Sequence, residues 1–250
     1  MRVSTLLCGG VAVLLLGACA TAYAADEEKA AAKVSERLTS ATAVFQEIMS
    51  TPDKGIPEDL LKKAQCVVII PGAKKGAFIF GATYGQGFIT CRASSGEGWT
   101  PPGNVRVEGG SFGFQIGGEE TDAVMLVMNK SGEEHLLSSQ FKLGASGSVA
   151  AGPVGRTASA NTDAYMNAEI LTWSRARGVF AGISLNGATL RQDLDNNRAL
   201  YGKAVTNKEI VEGQAVERPA TAAPLLDELS KYSPEKGMME KPANAEEEEE

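Results

Sequence analysis

Histidine is almost missing from this chain. Among 250 residues there is one, His135, set beside Glu133 and Glu134 in a polar stretch that reads as an exposed turn. With a single exposed imidazole, neither a histidine-centred triad nor a multi-histidine metal site has its parts. Positive charge is also short. Lysine plus arginine number 24 against 31 aspartate plus glutamate, a net charge of −7, which argues against sequence-independent nucleic-acid binding. Phosphate-cradling loops are lacking, since neither Gly85-Gln86-Gly87 nor Gly109-Gly110 continues into a helix-opening motif. Glu119, Glu120 and Asp122 form an acidic group that in principle suits a cation or paired-acid chemistry, but at the tip of a β-connection they read as solvated charge. No enzyme activity and no cofactor are expected from these residues.

Cysteine is scarce as well. Of four, Cys8 and Cys19 lie in the first 24 residues, which leaves Cys66 and Cys91 for the folded part. In an oxidising compartment two thiols pair. A simple meander, however, puts Cys66 at the start of a first strand and Cys91 at the end of a third, beyond the roughly 7 Å Cα reach of a disulfide. A non-meander order removes that objection, so a disulfide and two buried thiols both stand.

What is present begins with a leader over residues 1–24. Arg2 supplies a minimal basic start and 6–16 an apolar core too short to span a bilayer. Two processing sites compete. Leu16-Gly17-Ala18-Cys19 resembles a lipobox, in which Cys19 is lipidated and becomes the new N-terminus. Ala22-Tyr23-Ala24 fits ordinary signal-peptidase cleavage and release of a soluble periplasmic or secreted protein. The apolar run ends at Cys19, which favours a membrane-anchored periplasmic lipoprotein. Without the leader, 23 basic residues face 31 acidic ones, net −8.

Beyond the leader, residues 30–49 carry apolar positions at helical steps (Val34, Leu38, Ala41, Phe45, Ile48), which predicts an amphipathic helix docked on the domain's own sheet. Pro57, the acids Glu58 and Asp59, and the terminal Lys62 and Lys63 predict a short second helix over 57–64. The pattern then turns to β. Runs at 66–70, 77–84, 88–92, 105–107, 112–116, 123–128, 157–160, 170–174 and 179–190 are separated by glycine and proline clusters, with Asn186-Gly187 as a hairpin signal. The expected fold is α+β and mainly β: an antiparallel barrel-like or sandwich sheet of about ten short strands with flanking N-terminal helices. One domain over 26–204 is expected, followed by an extension over 205–250. That extension holds short helical segments and ends in five glutamates that read as a disordered acidic tail.

The centre of this pattern is 141–156, FKLGASGSVAAGPVGR, with small residues at alternate positions on both faces of a strand. A strand so bare, with Gly147 and Ala151 on one face, requires something to approach it closely. This stretch resembles the central signature of the SYLF domain, a lipid-binding module also known as an actin-binding domain in yeast and animal endocytic proteins. Three further blocks match in order: IPEDLLKKAQCVVIIPGAKKGAFIFGATYGQGFITCR, GWTPPGNVRVEGGSFGFQIGGEETDAVMLVMN and TWSRARGVFAGISLNGATL, so that the resemblance covers about 34–203.

The resemblance implies binding to acidic phospholipids. On that basis Lys74 and Lys75, in an expected turn after Pro71-Gly72, and Arg175 and Arg177, in a turn before Val179, are candidate head-group ligands, with Arg156 beside them. Arg92, Arg106, Lys142 and Lys203 belong to the same basic set at expected strand ends and loops. SH3 and FYVE modules of the eukaryotic members are absent from this chain, and actin binding is not carried over to a periplasmic protein. The expected function is therefore non-catalytic recognition of anionic lipid in a bacterial envelope. A protein-interaction module without a lipid ligand is the alternative, and a hydrolase with an unorthodox site built on acids such as Asp122 is a third reading.

Overall fold

The computed structural model describes residues 9–51, 55–78, 80–94, 98–112, 117–138, 140–143, 149–152, 168–176, 179–181, 187–213 and 215–233. Helix α1 (Gly9–Ser50) opens the chain and α2 (Glu58–Lys63) follows. Strands β1 (Cys66–Phe78), β2 (Phe80–Cys91), β3 (Gly103–Phe112) and β4 (Gly117–Val127) come next, then α3 (Lys130–Leu137). The short strands β5 (Gln140–Lys142), β6 (Val149–Ala151), β7 (Ile170–Ala176), β8 (Val179–Ala181) and β9 (Thr189–Gln192) complete the β-part. Helices α4 (Leu194–Tyr201), α5 (Asn207–Val211) and α6 (Ala223–Tyr232) close it.

The nine strands form one sheet, in the order β5-β9-β3-β2-β1-β4-β7-β6 with β8 on β7. All pairs are antiparallel except β6 with β7. The class is α+β as expected, but among the described residues there is neither a second stacked sheet nor a pairing of β5 with β6 that would close a barrel. Helices are also not confined to the N-terminal side.

Both faces of the sheet are buried, which is why β1 and β4 read as continuous apolar runs rather than alternating ones. On the first face Val67, Ile69, Phe88, Val124, Leu126 and Trp173 pack against Val34, Leu38, Phe45 and Ile48 of α1 and Leu225 and Leu229 of α6. The five positions that define the helical stripe are all fully buried, each large aliphatic or aromatic one contributing roughly 1.5–3 kcal/mol. On the second face Cys66, Val68, Ile70, Val107 and Met125 pack with Leu136 and Leu137 of α3 and Val211 of α5. Residues beyond 204 thus share both cores with the sheet.

Three expectations change. The strand expected over 66–70 does not end there but runs on to Phe78, because Pro71-Gly72 forms a bulge inside β1, where Ile70 pairs Ala123 but Ala73 pairs Thr121, and the run expected over 77–84 is divided between the end of β1 and the start of β2. Gly72 adopts φ +57 and donates its N–H to Asp122 Oδ1 at 2.9 Å. Likewise Gly85 and Gly87 lie inside β2, where a Cβ at Gly87 would overlap the Ile69 carbonyl oxygen and one at Gly85 would lie 2.9 Å from Ala73 Cβ. These glycines serve close approach to the bulge, not a turn. The third change follows: β1 and β2 are neighbours, Cys66 pairs directly with Cys91, and the two form a disulfide with Cα atoms 3.8 Å apart. Residues 113–116 and 157–160, with Gly147 and Arg156, lie outside the described residues.

Candidate functional site

Along a strand successive side chains alternate faces, and this separates the two lysines predicted to act together. Lys74 shares the α1 side of the sheet with its register partners Tyr84 on β2 and Glu120 on β4, whereas Lys75 lies on the opposite side, in register with Thr83 and Glu119. Both stand in β1 beyond the bulge, not in a turn. Lys74 is exposed and Lys75 partly buried, and Tyr84 is 50% exposed, a large apolar ring left in solvent. Phe78, Phe80 and Phe112 occupy adjoining register positions at this same end of the sheet.

Arg175 has a different fate. It lies in β7, its side chain only 15% exposed, bonded to Asp122 at 3.0 Å and ion-paired with Glu47 of α1. Burial alone would lower its pKa, but the hydrogen bonds and charges of Asp122 and Glu47 outweigh burial and hold it above the ordinary value. Of the predicted acidic cluster, Asp122 is therefore part of an internal relay: Gly72 N–H to Asp122, Asp122 to Arg175, Arg175 to Glu47. It ties the bulge, β7 and α1 together. Arg177 and Arg156 fall outside the described residues, and Cys19 falls within α1, where its side chain is not described.

Above the relay a cleft of about 550 Å³ opens between α1 and the sheet, lined by Lys33, Glu36, Arg37 and Glu47 on one side and Gly72, Glu120, Asp122 and Arg175 on the other. Its charges are mixed, with acids in the majority, which makes it a poor anion trap. Arg37 donates to Gln86 Oε1 at 2.5 Å, and Gln86 donates in turn to Asp193 Oδ2 at 3.0 Å. Burial lowers the pKa of Arg37, an effect that the charges of Asp193 and Tyr84 offset only in part. Lys33, Arg37, Tyr84 and Gln86 were not singled out from the sequence. The helical phase placed Arg37 one position from the buried Leu38, but its partner on β2 depended on the register.

Other basic residues are occupied structurally. Arg92 donates to the carbonyls of Leu61, Lys62 and Ala64 at the end of α2 and of Ser233 at the end of α6, with its guanidinium 4.1 Å over Trp99. Arg106 pairs with Glu108 at 2.9 Å, and Lys203 donates to the Ala215 carbonyl at 2.5 Å. His135 stands on α3 rather than in a turn, exposed, 3.2 Å from Glu169 and stacked on Phe141. Of the predicted cations described, Lys74, Lys142 and Lys203 are exposed and have no carboxylate of the described residues within 4.0 Å, and Lys74 alone adjoins an exposed aromatic.

A family model described as Las17-binding protein actin regulator (Ysc84) matches residues 108–232, half of the chain. The chain is 31% identical over 209 residues to SH3 domain-containing YSC84-like protein 1 of Homo sapiens, covering 83% of this chain and 59% of that protein. It is 35% identical over 207 residues to Protein YSC84 of Saccharomyces cerevisiae, covering 80% and 42% respectively. LAS seventeen-binding protein 3 of the same yeast is 32% identical over 221 residues, covering 85% and 46%. The chain thus spans roughly half the length of these relatives, and from β3 through α6 it belongs to the Ysc84 family, the family of the SYLF domain.

Proposed function

We propose that this chain is a non-catalytic domain that docks on anionic phospholipid surfaces through the distal end of the β1–β2 hairpin. The observation that carries this reading is Tyr84, half exposed and directly opposite the exposed Lys74. An amphipathic ring beside an ammonium on a flexible stem suits the boundary between head groups and acyl chains. The phenylalanines at register positions Phe78, Phe80 and Phe112 put further apolar residues at the same end. Export through the leader at 1–24 and lipidation at Cys19 would bring that end to an envelope membrane, in the periplasm of a bacterium.

Flotation of the full chain with phosphatidylglycerol-containing and pure phosphatidylcholine vesicles tests this. The variant is Lys74→Gln with Lys75→Gln; glutamine is chosen because a glutamate would oppose Glu119 and Glu120. At about 1 kcal/mol per cation near an anionic surface, binding should weaken tenfold or more, and added salt should mimic the loss. Equal binding by a folded variant sinks the site. For the anchor, Cys19→Ala should abolish lipid labelling and membrane fractionation; an unchanged fraction with a new terminus at Ala25 would select the ordinary cleavage site.

A second reading has its own observation. The acidic register partners of Lys74 and Lys75 weaken the local positive field, and the matching family and one relative are named for binding another protein. If the parent chain floats with neither vesicle, a protein-docking module replaces the lipid reading.

A further inference from the structure

Glu133 stands where a carboxylate has no evident use. Strand β4 ends at Val127, Asn129 caps α3 by accepting the Gly132 N–H at 2.8 Å, and Glu133 follows one residue later. A Cβ at Gly132 would lie 3.0 Å from Val127 Cγ1, so α3 sits close on the strand end. This delivers the Glu133 side chain, 9% exposed, to the second core beside the Cys66–Cys91 bond. A disulfide has no proton to donate, so it does nothing for a buried carboxylate. The one ion pair of Glu133 is with Lys130, at 2.9 Å, and that lysine is 75% exposed.

We propose that reduction of the Cys66–Cys91 bond turns this point of the sheet into a binding site for a zinc-class divalent cation, with Cys66, Cys91 and Glu133 as its ligands. One atom from each of the three residues lies within 4.8 Å of the others, and all three residues are buried. The centre of such a triangle is at most about 2.8 Å from each atom, close to the 2.0–2.3 Å of Zn–O and Zn–S bonds. Small side-chain rotations close the difference once the sulfurs are free to part. Two thiolates and a carboxylate are a donor set that zinc and cobalt accept, with a fourth position left for water.

The chemistry balances. A dithiol or phosphine reductant gives two electrons, the S–S bond breaks, and two protons from solvent or the dithiol make two thiols. The cation then displaces both thiol protons to solvent. Two thiolates, one carboxylate and a divalent cation leave a charge of −1, which the Lys130 ammonium neutralises through Glu133. The inference does not rest on lipid docking, because the site lies at the opposite end of β1 from Lys74.

The full chain, reduced with a phosphine under argon and freed of reductant, would be titrated with Co²⁺ and then Zn²⁺. Expected are sulfur-to-cobalt charge-transfer absorption at one equivalent, bleaching by Zn²⁺, and no such band for the oxidised protein. Glu133→Gln should keep the band and weaken affinity tenfold or more, and Cys66→Ser with Cys91→Ser should remove it. Circular dichroism follows the fold in parallel. If reduction unfolds the chain and Zn²⁺ restores it, binding is coupled to folding as the site requires. Absence of the band in a folded reduced chain, failure of Zn²⁺ to restore an unfolded one, or an affinity indifferent to Glu133→Gln overturns the proposal. Metal uptake that survives the double cysteine variant belongs to other ligands, such as Cys8, Cys19 or the terminal glutamates, and overturns it too.

Discussion

At Gly152 the fold depends on an atom that is not there. A Cβ at this position would fall on the indole of Trp173, a ring only 3% exposed in the first core. Gly152→Ala should therefore cost about 1–3 kcal/mol by overpacking, read as a lower denaturation midpoint. Adding Trp173→Phe, which removes the overlapped part of the ring, should return a portion of that loss, and purely additive midpoints would rule out the contact. The bare stretch announced in sequence that something comes close. What comes close was not legible, because β6 meets β7 only through a parallel pairing across some twenty residues. The same holds for Arg175. Its charge was plain in the sequence, but its partners Asp122 and Glu47 lie on elements that only the sheet order and the docking of α1 bring together. Those partners are why it is a brace and not a free head-group ligand.

Elements built from local signals were the most legible. The stripe from Val34 to Ile48 gave α1 its buried face, and Pro57 with its acids marked the start of α2, because periodicity and end effects act within a few residues. Arg92 shows the limit of that reading, since one guanidinium holds the C-terminal ends of two helices far apart in sequence, α2 and α6. Its planar fork suits several carbonyls at once, and the partial negative charge of both helix ends favours it. Arg92→Lys should lower stability by about 1–3 kcal/mol, since a single ammonium cannot span the same acceptors; an unchanged midpoint would show that the clamp is idle. The cap of α5 carries a pH signature. Glu209 accepts from the Thr206 N–H and hydroxyl, each at 2.8 Å, which holds its pKa below the ordinary value. Its contribution is present above the unfolded-state pKa and is lost as pH falls through the folded one. The gap in melting temperature between the parent and Glu209→Gln should thus be open at neutral pH and close in strong acid.

Across the whole molecule one sheet serves two cores, and the disulfide fastens its two central strands at their common end. Closing 25 residues of sequence, that bond should contribute about 2–4 kcal/mol, so Cys66→Ala with Cys91→Ala should unfold at a correspondingly lower denaturant concentration. The sequence supported this pairing no more than two free thiols, because glycines that read as turns lie inside strands. The Pro71-Gly72 bulge has one more consequence. Up to Ile70 the even-numbered residues of β1 enter the second core; after the extra residue, odd-numbered Ala73 takes that place and Lys74 is turned out to solvent. The bulge is a frameshift written in space. Deleting Gly72 would leave a single residue between Ile70 and Ala73, matching the single Asp122 between Ala123 and Thr121, so every downstream residue would keep its face and only the bulge, with its Gly72–Asp122 hydrogen bond, would go. A one-residue deletion is silent in the inside-outside pattern here, where elsewhere along β1 it would invert it.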